Sequence, residues 1–407
     1  MTIRIQETMI RDSHFTAVAR LRYRVYAEEE GHEMPGMDHD ARTLVDPLDS
    51  VSHILAAVDD DEVVGTICTT PVSALPGDHP LRPRIEAFSA AVPESRQLLV
   101  GRLMVDADYR GGAACPQLFA TAYGKALELG FEVALAECSP RNVPLYESVG
   151  CRHFGRPYVD SKFGLTVLLA LLVRDLGHLN RVQSPLVALA GSAEPNEALG
   201  KWFEQAFGTS NAPLSLRLQP HSVRDELLSR ATALPHSPFA AITSAEQARA
   251  MRSCTTFGFD AGAALIQADC ACTETFLIVE GEVEVTDTDP PTGEPRCRRL
   301  ASGQVLNEQS LLDGRQRPVR ISARAVRPTR VLVLGAESFA ALRRGQPALA
   351  ASIEQGLRHL ATLRDASTPP RARPARSRPD LEELAHPLVG TTGQRAPIEC
   401  TTAGARS

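Results

Sequence analysis

No stretch of this chain is long and apolar enough to cross a bilayer. The most apolar run, Leu165 to Val173, falls well short of the ~20 residues a spanning helix needs. The opening residues MTIRIQETMI are polar and alternating, unlike a leader peptide, so a cytoplasmic protein is expected. Positive charge is not in excess either. Lys and Arg number 43 against 49 Asp and Glu, a net charge of −6, and no nucleic-acid partner is expected. Cysteine lacks pattern: nine are scattered, and an odd count without paired spacing reads as reduced thiols. Cys270 and Cys272 are the one close pair, with no second ligand cluster, so no metal site is expected. Tryptophan occurs once, as Trp202, and is expected to pack at a seam between domains.

What is present is the composition of a folded protein. Hydrophobic residues make up 43% and charged residues 23% of 407 positions, enough for two or three domains. The chain is organised around LLVGRLMVDADYRGGAACPQLFATAYGKALELG, Leu98 to Gly130. Leu98 to Val105 is apolar, of strand length and rich in branched side chains. A charged corner, Asp106 to Arg110, leads to Gly111, Gly112, Ala113 and Ala114. A helical pattern then runs from Pro116 to Leu129, with Leu118, Ala122, Ala126 and Leu129 on one face. Gly130 stands where a C-cap is expected. A strand, a turn of small residues and a helix start make an anion site, because the first helical amides lack internal partners and the dipole favours negative charge. A strand–turn–helix that binds nothing has the same pattern.

Around this stretch, Thr2 to Ile10 alternates like a strand. Asp12 or Ser13 can cap a helix to about Glu30, with Phe15, Val18, Leu21 and Val25 on one face. His53–Val58 and Glu62–Thr70 flank Asp59-Asp60-Asp61 as a hairpin, and a short helix falls near Arg84–Ala90. Phe131–Cys138 reads as a strand, Val143–Val149 as a short helix stopped by Gly150, and Cys151–Val173 as the last strands. This order predicts an α+β fold, a mixed sheet with helices on both faces.

The block resembles the GNAT superfamily of N-acyltransferases. Arg110 to Cys115 occupies the place of that superfamily's pyrophosphate loop; Arg110 matches, while Ala113 and Cys115 stand where glycines are usual. SPRNVPLYESVGC resembles its Asn…Tyr-Glu-x-x-Gly segment through Asn142, Leu145, Tyr146 and Gly150. More narrowly, LRYRVYAEEEG, VDPLDS and SHILAAVDDDEVVGTI are similar to the N-acyl amino acid synthases and acyl-homoserine-lactone synthases, with Arg24, Asp46, Asp49 and Arg102 at group positions. Leu99 stands where the lactone synthases carry Glu, and Cys68 or Thr69 where they carry Arg. The resemblance therefore implies acyl transfer to some amine rather than lactone synthesis. It implies acyl-coenzyme A or an acyl carrier protein as donor, held by Arg110, by the amides of Gly111, Gly112, Ala113 and Ala114, and by Asn142. The amides of Leu103, Met104 and Val105 would meet the thioester carbonyl, and Tyr146 would protonate the departing thiolate. Arg24, Asp46 and Asp49, with Arg102, would form the acceptor pocket, where carboxylates attract an ammonium group and help remove its proton. His39, His53 and Glu137 are further bases on chemical grounds alone.

From Phe239 the pattern changes to many short apolar runs with turn signals, which predicts a β-roll or barrel. Phe339–Arg344 and Pro347–Leu363 read as helices, the second with Leu349, Ile353, Leu357 and Leu360 on one face. Gly303 to Leu312 contains Asn307, Glu308 and Ser310, and Arg317 follows Glu308 by nine positions. This resembles the phosphate-binding cassette of cyclic-nucleotide-binding domains. It implies a cyclic nucleotide such as cyclic AMP as effector, with Glu308 accepting from the ribose and Arg317 facing the cyclic phosphate. Asn307 replaces the usual glycine and tolerates positive φ. No helix-turn-helix follows, and the Pro- and Arg-rich end, with Arg371, Arg373, Arg376 and Arg378, is expected to be disordered.

The expected organisation is an acyltransferase domain over 1–182, a helical linker over 183–235 that carries the coupling, a nucleotide-binding domain over 236–364 and a tail over 365–407. Two alternatives stand beside it: a non-catalytic scaffold, and a roll that binds no nucleotide but makes a homodimer through the Leu349–Leu360 face.

Overall fold

The alternating and apolar runs of the first half pair into one eight-stranded sheet. The computed structural model describes residues 2–207, 230 and 237–367, apart from 192, 240–241, 252, 271, 289–294 and 314–318. The strands are β1 (Arg4–Thr8), β2 (His53–Asp59), β3 (Glu62–Pro71), β4 (Gln97–Val105), β5 (Val133–Cys138), β6 (Arg152–His153), β7 (Tyr158–Asp160) and β8 (Gly164–Leu172). Their order is β1-β2-β3-β4-β5-β8-β6, with β7 also on β8. Every pair is antiparallel except β4 with β5. That exception has a covalent cause: a helix lies between the two strands in sequence, and such a crossover returns the chain in the same direction.

The helices of this half are α1 (Ser13–Tyr23), α2 (Arg82–Ser89), α3 (Ala114–Glu128) and α4 (Val143–Ser148). Phe15, Val18 and Leu21 of α1 bury against Ile54, Ala56 and Met104. The helix continues as a π-helix over Arg24–Glu29, which keeps Val25 in the same cluster. Leu118, Ala122 and Ala126 of α3 bury against Ile67, Leu98, Ala134 and Ala136. Leu129, expected on that face, is 49% exposed, because it is the C-cap and no longer follows the helical spacing. Trp202 does not fill a seam with the second half. It lies on α5 (Glu197–Phe207) and packs edge-on to Phe88, 5.4 Å between ring centres, in a cluster built from residues 72–207.

The second half is two four-stranded antiparallel sheets. Its strands are β9 (Thr255–Phe259), β10 (Ala264–Ile266), β11 (Glu274–Glu280), β12 (Glu282–Thr288), β13 (Pro295–Ala301), β14 (Val305–Leu306), β15 (Ile321–Ala325) and β16 (Thr329–Gly335). They run β9-β16-β11-β14 in one sheet and β10-β15-β12-β13 in the other. Between β11 and β12 the chain turns on Gly281, whose φ is +102° and whose absent Cβ would lie 2.4 Å from Thr329 Oγ1. The short α6 (Gln309–Asp313) is followed by α7 (Ala336–Gly345) and α8 (Pro347–Ser367). Leu349, Ile353 and Leu357 of α8 are buried against Leu277, Leu332 and Phe339 of the roll. The expected dimer face is thus already covered by its own chain. Most of the linker (208–229 and 231–236) and the tail beyond 367 lie outside the described residues.

Candidate active site

Strands β4 and β5 pair only over Gln97–Val100 and Val133–Ala136. Past that point β4 stays with β3, and Glu137 and Cys138 of β5 stay with β8. A bulge helps to part them. The β3–β4 register shifts between Thr66 and Cys68, and opposite it Arg102 takes φ +53°, a region a bulky side chain enters only at a cost. Between the parted strands opens a cavity of about 570 Å³.

Its lining gathers Asp46, Asp49, Arg102, Leu103, Met104, Asn142 and Tyr146. Arg102 Nε donates to Asp46 Oδ2 at 2.7 Å and Nη1 to the Tyr26 hydroxyl at 3.1 Å. Burial works against the Arg102 charge, but Tyr26 and Asp46 outweigh it and hold its pKa above the ordinary arginine value. Burial likewise opposes ionisation of Asp46, and Arg102 overcomes it, so that carboxyl stays below its usual range. Asp49 is held from the other side by Arg22, whose Nη1 lies 2.9 and 2.7 Å from its two oxygens. Arg22 is fully buried and also donates to Cys68 Sγ at 2.8 Å; burial pushes that thiol up to about 11.

Several expected residues fall elsewhere. Arg24 pairs with Asp106 at 2.6 Å, its side chain 43% exposed, and does not line the cavity. Val105, Arg110 and the Gly111–Ala114 turn are also outside the lining. Arg110 bonds the Val105 carbonyl at 3.0 Å and pairs with Glu29. Beside it, Gly111 takes φ +80° and α3 begins without a side-chain cap. His39 and His53 bond Glu33 and Glu7 at the surface.

Tyr146 sits between two spaces. It is buried, stacks edge-on to Phe119 at 5.6 Å, and borders both the main cavity and an apolar one of about 40 Å³ lined by Phe119, Ala122, Ala136 and Leu171. Burial raises its pKa well above the ordinary phenol value, so the hydroxyl keeps its proton.

Two features, Arg22 and a wall from the second half, were not singled out by the sequence, and a third, Glu137, was a candidate base on chemical grounds alone. Arg22 shares the α1 face of Val18, four residues earlier, a spacing that marks it for burial. Glu137 lines the cavity and accepts from the Tyr158 hydroxyl. Thr273 and Glu274, at the start of β11 in the second half, close one wall of the same cavity. No local pattern announces that wall, because it depends on how two distant segments meet.

Behind it stands the loop of Gly303 to Leu312. Asn307 takes φ +61° and donates to the carbonyls of Cys272 at 3.3 Å and Glu274 at 2.9 Å. Thr275 Oγ1 donates to the Asn307 carbonyl at 2.9 Å and lies 2.9 Å from Ser310 Oγ. Glu308 is buried; Arg317 lies outside the described residues. Among the described residues there is no cluster that could hold a metal ion, and no helix long and apolar enough to cross a membrane.

Residues 17–172 match the family model of the N-acyl amino acid synthase FeeM, and residues 257–346 match that of the cyclic nucleotide-binding domain. The chain thus joins an N-acyl amino acid synthase domain to a cyclic nucleotide-binding domain, and it is an acyltransferase. No curated protein matches it. Among solved structures it is similar to a CoA-dependent acyl-homoserine lactone synthase, BjaI, at 20% identity over 46% of this chain and 98% of that one, with a TM-score of 0.36. It is also similar to a cyclic nucleotide-binding domain from Methylobacillus flagellatus, at 20% identity over 38% and 90%, TM-score 0.32. A third is a cAMP-binding acyltransferase from Mycobacterium smegmatis, at 19% identity over 35% and 42%, TM-score 0.27.

Proposed function

We propose that this acyltransferase is of the GNAT type and moves an acyl group from a thioester, acyl-coenzyme A or acyl carrier protein, to the amine of an amino acid under the control of a cyclic nucleotide. The observation that carries the reading is the cavity between β4 and β5, where unpaired strand edges, Tyr146 and the Asp46–Arg102 pair meet. The thioester carbonyl lies against the amides of Leu103 to Val105. Arg110 and the Gly111–Ala114 amides at the start of α3 hold the phosphates outside the cavity, and Asn142 meets the donor within it. The acyl tail passes Tyr146 toward the apolar space beyond it. Asp46, Asp49 and Arg102 form the acceptor wall, with Arg22 rather than Arg24 fixing Asp49.

For control, cyclic AMP or a related nucleotide sits against Asn307, Glu308, Ser310 and Arg317. The loop that holds it is hydrogen-bonded to the Cys272–Thr275 segment, and Thr273 and Glu274 of that segment line the cavity. A direct wall gives the coupling a route besides the 183–235 linker. The working arrangement is a synthase domain over 1–182 and a nucleotide domain over 236–364.

Thiol release from dodecanoyl-coenzyme A with amino acids present tests the reaction. Tyr146→Phe is expected to lower kcat by about 100-fold while leaving donor binding intact, since loss of a general acid costs on that order. An unchanged kcat removes the role of Tyr146.

A further inference from the structure

The proposed transfer needs a base, because an amino acid arrives largely as an ammonium group, which has no lone pair for attack. Among the described residues, Glu30, Asp46, Asp49, Glu137, Asp160 and Glu274 bring carboxylates to the cavity. Three are clamped by guanidinium groups: Glu30 by Arg141, Asp46 by Arg102 and Asp49 by Arg22. A carboxylate held that way is a poor proton acceptor. Asp160 caps its own turn through the amides of Lys162 and Phe163, at 2.8 and 3.0 Å. Glu274 is turned back onto Thr273, whose amide and hydroxyl lie 3.1 and 3.2 Å away.

The two histidines of the lining are engaged as well, His32 Nε2 lying 3.5 Å from Glu30 and His79 Nδ1 accepting from the Leu81 amide at 3.3 Å, whereas Glu137 differs in both partner and place. It makes no ion pair among the described residues, and its hydrogen-bond donor is the neutral hydroxyl of Tyr158. In sequence it follows Ala136, the last residue of β5 paired with β4, so it stands where the two strands part. The Arg84 guanidinium lies 3.6 Å above the centre of the Tyr158 ring and fixes that side chain in turn.

We propose that Glu137 is the general base that takes the acceptor's proton, and that Tyr158 is the residue that positions it. This rests on the acyl-transfer reading above. One N–H bond of the ammonium breaks as an O–H bond forms on Glu137. The freed nitrogen lone pair attacks the thioester carbonyl, the C–N bond forms, and the C–S bond breaks with its electrons going to sulfur. The thiolate takes the Tyr146 proton, and the second proton leaving the nitrogen restores that hydroxyl. Glu137 then gives its proton to water in the cavity.

Burial raises Glu137 above the ordinary carboxylate range, which suits a group that must hold a proton briefly. Tyr158, Arg84 and Arg102 pull it down, and Asp160 pushes it up. Burial and Glu137 together raise Tyr158, so it remains a hydroxyl donor.

The test uses the full chain, dodecanoyl-coenzyme A and a mixture of the twenty amino acids, with hydroxylamine as a nucleophile already neutral at pH 7. Glu137→Gln is expected to slow transfer to amino acids by about 100-fold and to abolish the acid limb of the kcat/KM–pH profile. Transfer to hydroxylamine stays close to wild type. Tyr158→Phe keeps the base but loses a donor that stabilises the carboxylate, so the acid limb moves to higher pH. Equal losses with both nucleophiles, or an acid limb left in place, overturn the assignment. Should Glu137→Gln melt early, Tyr158→Phe decides alone: a limb that does not move overturns it. Absence of thiol release by the wild type with every nucleophile instead overturns the acyl-transfer reading itself.

Discussion

At the scale of the residue, Arg22 of α1 and Arg24 of its π-helical extension show how burial sorts identical side chains. Arg22 is sealed in with Asp49 and Cys68, whereas Arg24 reaches Asp106 with much of its side chain in water. Removing one partner of a buried pair leaves the other charge uncompensated, so Arg22→Ala is expected to cost about 3–5 kcal/mol. Arg24→Ala, at a pair whose guanidinium is partly in water, is expected to cost less, about 1 kcal/mol. Urea unfolding of the two variants checks this. Equal losses mean that the buried pair is not the strut the geometry describes. The sequence pattern that placed Phe15, Val18, Leu21 and Val25 on one face also contained Arg22, but a charged residue at that spacing reads as surface until its partner is seen. Asp49 lies 27 positions away, too far for any local pattern to pair them.

At the scale of the element, legibility followed the range of the interactions. The Asp60-Asp61 turn, the α3 face up to Ala126 and the Asn307 loop were readable, because backbone geometry and short periodicities decide them. Asn307 does adopt positive φ, as its chemistry allows. What was not readable depends on elements meeting: Trp202 against Phe88, the α8 leucines against their own roll, and Glu137 beside Tyr158. The Gly281 turn offers a test at this scale. A Cβ there would meet Thr329 Oγ1 at 2.4 Å and the Pro328 carbonyl oxygen at 2.7 Å, on a backbone with φ +102°. Neither backbone can move without disturbing both β11 and β16. Gly281→Ala is therefore expected to destabilise the roll by on the order of 3 kcal/mol, read as a lower midpoint in urea. A midpoint within error of wild type rules out the close packing.

At the scale of the whole molecule, the wall formed by Thr273 and Glu274 makes the proposed effector loop and the proposed acyl cavity neighbours. Coupling between binding sites is reciprocal. If cyclic AMP changes the affinity for dodecanoyl-coenzyme A by a given factor, the donor must change the affinity for cyclic AMP by the same one. Calorimetric titrations in both orders are expected to give matching factors of roughly 5–150, and Glu274→Ala is expected to shrink both together. Factors of one in the wild type remove the regulatory reading.

The parting of β4 from β5 after Val100 and Ala136 bears on how such an enzyme can change its chemistry. Point substitution exchanges side chains and leaves peptide groups where they were. A donor gripped by main-chain amides, as proposed for this chain, keeps its seat while the residues facing the amine are exchanged. A catalyst built this way can try new acceptors one mutation at a time without first losing its fuel.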